Sequence, residues 1–204
     1  MSDSTSSRQD QAEATRQLLL EAARTVFGER GYQGATVAAI TREAHTAHGT
    51  FYLYFDNRED VFLQVVNDLL DELYQHSFTP IEDLPSQGDA GMLRERIAAF
   101  ITAWVAHGPL WRALLEASLA SARVQARWME HRRRFHATLS ERLTHFGVEL
   151  GGRALDADTA AYALNSMLEW YALTGTVFEE PRALEASDDV IDTLTTLWMR
   201  ALGG

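Results

Sequence analysis

The chain of 204 residues is predicted to be all-α, with about nine helices. Three observations predict this. Every strong apolar period is helical, and no stretch alternates as a strand would. Glycine and proline collect between the apolar stretches, at Gly31, Pro80, Pro85, Gly88, Gly91, Gly108, Pro109, Gly147, Gly151 and Gly152. Short polar residues able to cap a helix stand where stretches begin, at Thr36, Asp56, Asn57, Asp156 and Ser187.

The elements follow in order. Leu18, Leu19, Ala22, Ala23, Val26 and Phe27 share one face of a first helix over about 10–30, and Gly31 stops it. Thr36 caps a second helix, with Val37, Ile40 and Ala44 inward. A tight turn at His45 and Thr46 leads to a very short third helix, complete by Phe55. Asp56 or Asn57 caps a fourth, with Val61, Phe62, Val65, Val66, Leu69 and Leu73 along one face. Five more helices are expected at about 91–107, 110–120, 123–147, 156–178 and 188–202. Residues 1–12 read as a disordered polar tail, 13–58 as a small helical domain and 59–204 as a larger one.

Composition removes several classes of function. Apolar residues make up 46% of the chain, enough for a sizeable core, but no run of them is long enough to span a membrane. The first residues are polar and acidic rather than basic then apolar, so a cytoplasmic protein is expected. Without cysteine there are no disulfides and no thiolate metal sites. His76, His107, His131, His136 and His145 are scattered, and none pairs with another at metal-ligand spacing beside a carboxylate. There is no glycine-rich phosphate loop and no nucleophile elbow, so no catalytic residue, cofactor or metal is expected.

The net charge of -11 argues against general nucleic-acid affinity. Its distribution matters more. Residues 16–58 carry five arginines against Glu21, Glu29, Glu43 and Asp56, a net of +1. Residues 61–204 carry twelve arginines against twenty acids, a net of -8. Such a head can bind DNA only through placed contacts. All 18 basic residues are arginine, each a planar fork suited to phosphate or guanine.

The segment Ala44 to Asp60 is where those contacts concentrate. A short helix can enter a groove about 12 Å wide by its N-terminal end while the helix before it crosses the backbone. Thr36, Thr50, Tyr52 and Tyr54 can donate to phosphate, Arg58 can clamp another, and Gly49 admits close backbone approach. Phe51 and Phe55 are better placed as wedges into the core.

These residues stand in a pattern: Phe27-x-x-x-Gly31-Tyr32, Thr36-Val37-x-x-Ile40-x-x-x-Ala44 and Gly49-Thr50-x-Tyr52-x-Tyr54-Phe55-x-x-Arg58. The pattern, over residues 16–66, resembles the N-terminal domain of TetR-family transcriptional regulators. The resemblance implies a three-helix, helix-turn-helix DNA-binding domain followed by a helical ligand-binding and dimerisation domain. It maps base reading onto Ala47, His48 and Leu53. Where the family usually has Gly-Val-Ser across the turn, this chain has His45-Thr46-Ala47. His45 is then expected in a left-handed conformation, at roughly 1 kcal/mol for a non-glycine residue, and Thr46 to take over capping. The usual lysine after the Tyr-x-Tyr-Phe run is replaced by Arg58.

The second part, with Ala163-Leu164-Asn165-x-Met167 and Val190-Ile191-Asp192-Thr193-Leu194-x-x-Leu197-Trp198, is similar to the actinobacterial EthR-like subgroup. That resemblance implies an apolar tunnel with Asn165 as a hydrogen-bonding anchor. A second asparagine of the subgroup is replaced here by Leu168. Phe100, Trp104, Trp111, Trp128, Phe135, Trp170 and Phe178 could line the tunnel, or could simply be core. Glu169 is either a second anchor or a solvent-facing residue. Of Arg132, Arg133 and Arg134, consecutive on a helix and about 100° apart, not all can face one pocket.

The expectation is a homodimeric, ligand-responsive regulator, released from a palindromic double-stranded DNA operator by a small apolar ligand. It pairs through its last two helices, without a membrane or cofactor. The alternative is a helical small-molecule binder whose DNA-reading head is degenerate.

Overall fold

The computed structural model describes residues 3–78, 90–146, 149–150, 153–178 and 187–201. The expected loop at Pro80–Gly88 and the glycines Gly147, Gly151 and Gly152 lie outside them. Among the described residues nine helices form: α1 (Asp3–Gly34), α2 (Val37–Glu43), α3 (His48–Phe51), α4 (Arg58–Phe78), α5 (Ala90–Ala106), α6 (Gly108–Ala120), α7 (Ala122–Phe146), α8 (Ala157–Val177) and α9 (Asp188–Ala201). The all-α class stands. One addition is a two-rung antiparallel ladder between β1 (Glu149–Leu150) and β2 (Arg153–Ala154). It is too short to show a period of two in the sequence.

The chain forms two compact units. Unit 1 comprises residues 1–69 with 112–125, and unit 2 comprises 70–111 with 126–204. Neither is a continuous stretch of chain, because α4, α6 and α7 each contribute to both. No helix ends at residue 58, where the expected boundary fell: Arg58 opens α4.

Unit 1 is held by the predicted apolar faces. Leu19, Ala23, Val26 and Phe27 of α1, Ile40 of α2, Phe51 of α3 and Phe62 of α4 are all buried. Phe27, Tyr32 and Phe62 form an aromatic cluster, with Phe27 and Phe62 edge to face at 4.6 Å and Tyr32 and Phe62 at 4.8 Å. Residues 3–12, expected as a tail, continue α1: no glycine or proline interrupts the chain before Gly28. At Gly31 the helix breaks, with φ 67° and ψ 176°, a left-handed geometry that glycine adopts without a Cβ penalty.

Local caps follow the sequence closely. The Thr36 hydroxyl accepts from the Ala39 amide at 3.1 Å. Asn57 accepts from the Asp60 amide at 3.0 Å, and the Asp60 carboxylate reaches back to accept from the Asp56 amide at 3.3 Å, at the start of α4. Asp156 accepts from Thr159 N–H at 2.8 Å.

Unit 2 centres on stacked indoles. The rings of Trp104 and Trp111 lie 3.9 Å apart and 8° from parallel. Trp104 Nε1 donates to Thr176 Oγ1 at 3.1 Å, and Trp111 Nε1 donates to the Trp104 carbonyl at 3.1 Å. Phe100, Ile101, Leu168, Ala172 and Trp198 complete this core. Arg94 of α5 bridges Asp188 and Asp192 of α9, both at 2.5 Å.

Candidate functional site

Two groups of residues stand out, one in each unit. In unit 1, α3 is only four residues long and sits on two anchors: Phe51 and Phe55 are buried, as expected, with ring centroids 5.5 Å apart. Everything else on the segment points away from the core. Ala47, His48 and Gly49 are exposed, Thr50 and Tyr54 half-buried, Tyr52 53% exposed and Leu53 78% exposed. His48 packs edge-on against Tyr52 at 5.5 Å. A Cβ at Gly49 would meet nothing within 4 Å, so packing inside the chain does not require a glycine there.

The turn before α3 is built differently from expectation. His45 does adopt the left-handed region, with φ 51°. Thr46 does not cap. Ala47 occupies the cap position, α3 has no side-chain cap, and the Thr46 hydroxyl is buried without a hydrogen-bond partner among the described residues.

Arg58 is the clearest correction. Expected as a phosphate clamp, it turns inward. Its Nη1 donates to the carbonyls of Tyr32 at 3.0 Å, Gln33 at 3.3 Å and Ala35 at 2.9 Å. Its guanidinium lies over the Tyr32 ring, 4.5 Å from the centroid. The break at Gly31 leaves these carbonyls without helical donors, and a long cation from α4 satisfies them.

In unit 2, a buried polar cluster joins Tyr74 of α4, Arg132 and His136 of α7, and Asn165 and Glu169 of α8. Glu169, an uncertain anchor by sequence, is buried. Its Oε1 accepts from the Tyr74 hydroxyl at 2.8 Å, and its Oε2 accepts from Arg132 Nε at 2.8 Å and pairs with Nη2 at 2.6 Å. Burial first, and then the Glu169 charge, hold the Tyr74 phenol well above its ordinary value of 10.0. Arg133 and Arg134 face outward, as helical geometry requires when Arg132 faces in.

Asn165 is completely buried, with its Nδ2 3.0 Å from His136 Nε2. Its Oδ1 has no hydrogen-bond partner among the described residues. Turning the amide over would only exchange which half is left unmatched. Burial pushes His136 below the ordinary imidazole value of 6.5, which favours a neutral ring that accepts from the amide. Half-buried Trp128 likewise has an unmatched Nε1, and Phe135 stacks on Tyr74 at 5.0 Å.

The other expected ligand contacts are not brought to this cluster. Phe100, Trp104 and Trp111 pack with one another as core, and both indole N–H groups are already matched inside the protein. Trp170 and Phe178 are 62% and 60% exposed, so they face outward rather than lining a tunnel. Sequence reasoning missed Tyr74, Arg132 and His136 as a group. The signal available was spacing, since Arg132 and His136 lie four apart, as do Asn165 and Glu169.

Among the described residues no group of three or more histidines and acids could hold a metal ion, and no helix is long and apolar enough to cross a membrane.

Comparison with known proteins assigns both parts of the chain. Residues 19–65 match the family model of bacterial regulatory proteins, tetR family, and residues 93–204 match that of the transcriptional regulator EthR, C-terminal domain. Short matches include the regulator YuxN of Bacillus subtilis, 32% identical over 73 residues. That match covers 36% of this chain and 24% of YuxN, and other such relatives are likewise matched over well under two thirds of their length. The regulator EthR of Mycolicibacterium smegmatis is 26% identical over 189 residues, covering 91% of this chain and 85% of the relative. Among solved structures, GusR of Salmonella enterica superposes with a TM-score of 0.72 at 19% identity, covering 94% of this chain and 96% of that one. FadR of Bacillus subtilis in complex with stearoyl-CoA gives 0.70 at 18%, covering 91% and 98%. These relatives are transcriptional regulators, not enzymes. The chain belongs to the TetR family of bacterial regulatory proteins, with a C-terminal domain of the EthR type.

Proposed function

We propose that the protein is a homodimeric repressor that leaves a palindromic operator when a small, largely apolar ligand binds unit 2. The observation that carries the DNA half is the segment around α3. Ala47, His48, Gly49, Tyr52 and Leu53 are exposed on a short helix pinned from beneath by Phe51 and Phe55. A groove-entering helix needs that division. Ala47, His48 and Leu53 are the base-reading candidates. Thr36, Thr50, Tyr52 and Tyr54 are phosphate donors, and Arg58 acts through the joint that it clamps.

Duplex DNA from immediately upstream of the protein's own reading frame tests this. The wild type is expected to retain it at low salt, with affinity falling steeply as salt rises. Tyr52→Phe is expected to weaken retention about fivefold across sequences, the loss of one phosphate hydrogen bond. No retention of wild type at low salt would leave the second reading, a helical small-molecule binder with a degenerate head. The net charge of -11 and the uncapped α3 favour that second reading.

The ligand half rests on Asn165, whose unmatched amide is buried against His136, in the cluster that also holds Arg132, Glu169 and the stacked rings of Tyr74 and Phe135. A ligand polar group can complete that amide while its apolar body meets the aromatics. FadR, a fold relative, holds stearoyl-CoA, an amphipathic molecule of this general kind. Thermal shift with a panel of long-chain esters, amides and acids is the measurement. Asn165→Leu is expected to change which members raise the melting temperature. A panel that shifts neither protein defeats the pocket.

Tyr162 and Trp170 on α8, Phe178 just after it and Leu197 on α9 leave large apolar side chains exposed, and the dimer is proposed to cover them. Leu164, Ile191, Leu194 and Trp198 are buried within the protomer.

A further inference from the structure

The joint between α1 and α2 has an unusual construction. Gly31 leaves helical geometry with φ 67°, and the amides of Tyr32 and Gln33 follow it in the chain. Both donate to one distant carboxylate oxygen, Glu116 Oε2 of α6, at 2.9 Å and 3.4 Å. The carboxylate fills the place where a side chain on residue 31 would begin. A Cβ there would stand 2.7 Å from Oε2 and 2.9 Å from Oε1. Only glycine admits both the backbone angle and the carboxylate.

Arg58 completes the joint from the other side, through the carbonyls of Tyr32, Gln33 and Ala35. Two side chains of opposite charge thus hold one five-residue joint, the anion on its N–H groups and the cation on its carbonyls. Ala35 is buried, and the next residue, Thr36, caps α2. The direction in which α2 and then α3 leave α1 is set within these residues.

We infer that Glu116 is a positioning residue for DNA reading: by holding the Tyr32 and Gln33 amides it fixes the joint that aims α2 and α3. This rests on the DNA-binding function proposed above. Electrostatics makes the inference easy to test, because it predicts the opposite sign. Removing an acid from a DNA-binding protein should by charge alone strengthen binding. Removing a positioning acid should weaken specific binding and spare nonspecific binding.

The experiment uses the full-length wild type, Glu116→Ala and Glu116→Gln, after circular dichroism shows helical content and melting. Each is titrated with the upstream duplex and with a scrambled duplex of equal length, and amide exchange is followed at Tyr32 and Gln33. Glu116→Ala is expected to lose about tenfold or more in affinity for the upstream duplex, with the scrambled duplex bound equally well or better. The two amides are expected to exchange about tenfold faster, with the rest of α1 protected as before. Glu116→Gln keeps the shape and one acceptor oxygen, so it should fall between, and it carries the test if the alanine variant does not fold. Unchanged or higher affinity for the upstream duplex overturns the inference, and so does unchanged protection of Tyr32 and Gln33. A wild type that ignores the upstream duplex defeats the DNA-binding function itself. The exchange measurement then still decides whether Glu116 holds the joint.

Discussion

Replacing Arg132 with leucine is expected to lower the unfolding free energy by about 3–5 kcal/mol at neutral pH, the usual range for breaking one side of a buried ion pair. Glu169 would keep only the Tyr74 hydroxyl, and its carboxylate would be left among Phe135, Tyr74 and the core of unit 2. The double variant Arg132→Leu with Glu169→Leu should recover part of the loss, because no charge is then stranded. The Tyr74 hydroxyl would still lack its acceptor, which holds back roughly 1–3 kcal/mol. Chemical denaturation of the two single variants and the double variant reads all of this. Additive losses, or a single-variant loss below about 1 kcal/mol, would mean the pair is solvated and not the buried network described.

Replacing Arg58 with alanine is expected to destabilise unit 1 by about 2–3 kcal/mol, through carbonyls left unmatched and a lost contact over Tyr32. Replacing it with lysine should cost less than about 1 kcal/mol. A single nitrogen, Nη1, makes all three contacts, and an ammonium can be cupped by three carbonyl oxygens as well. The resemblance agrees, since lysine is usual at this place in the family. Melting of the two variants decides between this role and phosphate binding. A side chain whose main role is phosphate contact predicts an alanine variant that melts like wild type and binds DNA weakly.

Much of the fold was legible because it is local. Helix periods, the caps at Thr36, Asn57 and Asp156 and the break at Gly31 depend on residues within one or two turns. The left-handed His45 followed from a missing glycine in a tight turn. Phe51 and Phe55 were legible as core, because the other face of so short a helix carries Tyr52 and Leu53. The aromatics of the second half were not. Their periodicity is the same whether they line a cavity or pack together. The difference lies in partners from elsewhere in the chain, such as Thr176 for the Trp104 indole.

The role of Arg58 shows the same limit more sharply. Its position in the sequence, next to the aromatic run, fits a residue that grips DNA. Its actual partners are carbonyls 23 to 26 residues away. Glu116 lies 84 residues from the amide it accepts, and no sequence period announces it. The sequence by itself determined the helices, the family and the segment around α3 that the fold exposes, since each is written in short-range spacing. Only the tertiary structure decided which charged groups point inward, because burying a charge requires a partner and the partner comes from a distant helix. Hence Arg132, Glu169, Arg58 and Glu116 acquire their roles only once the chain is folded.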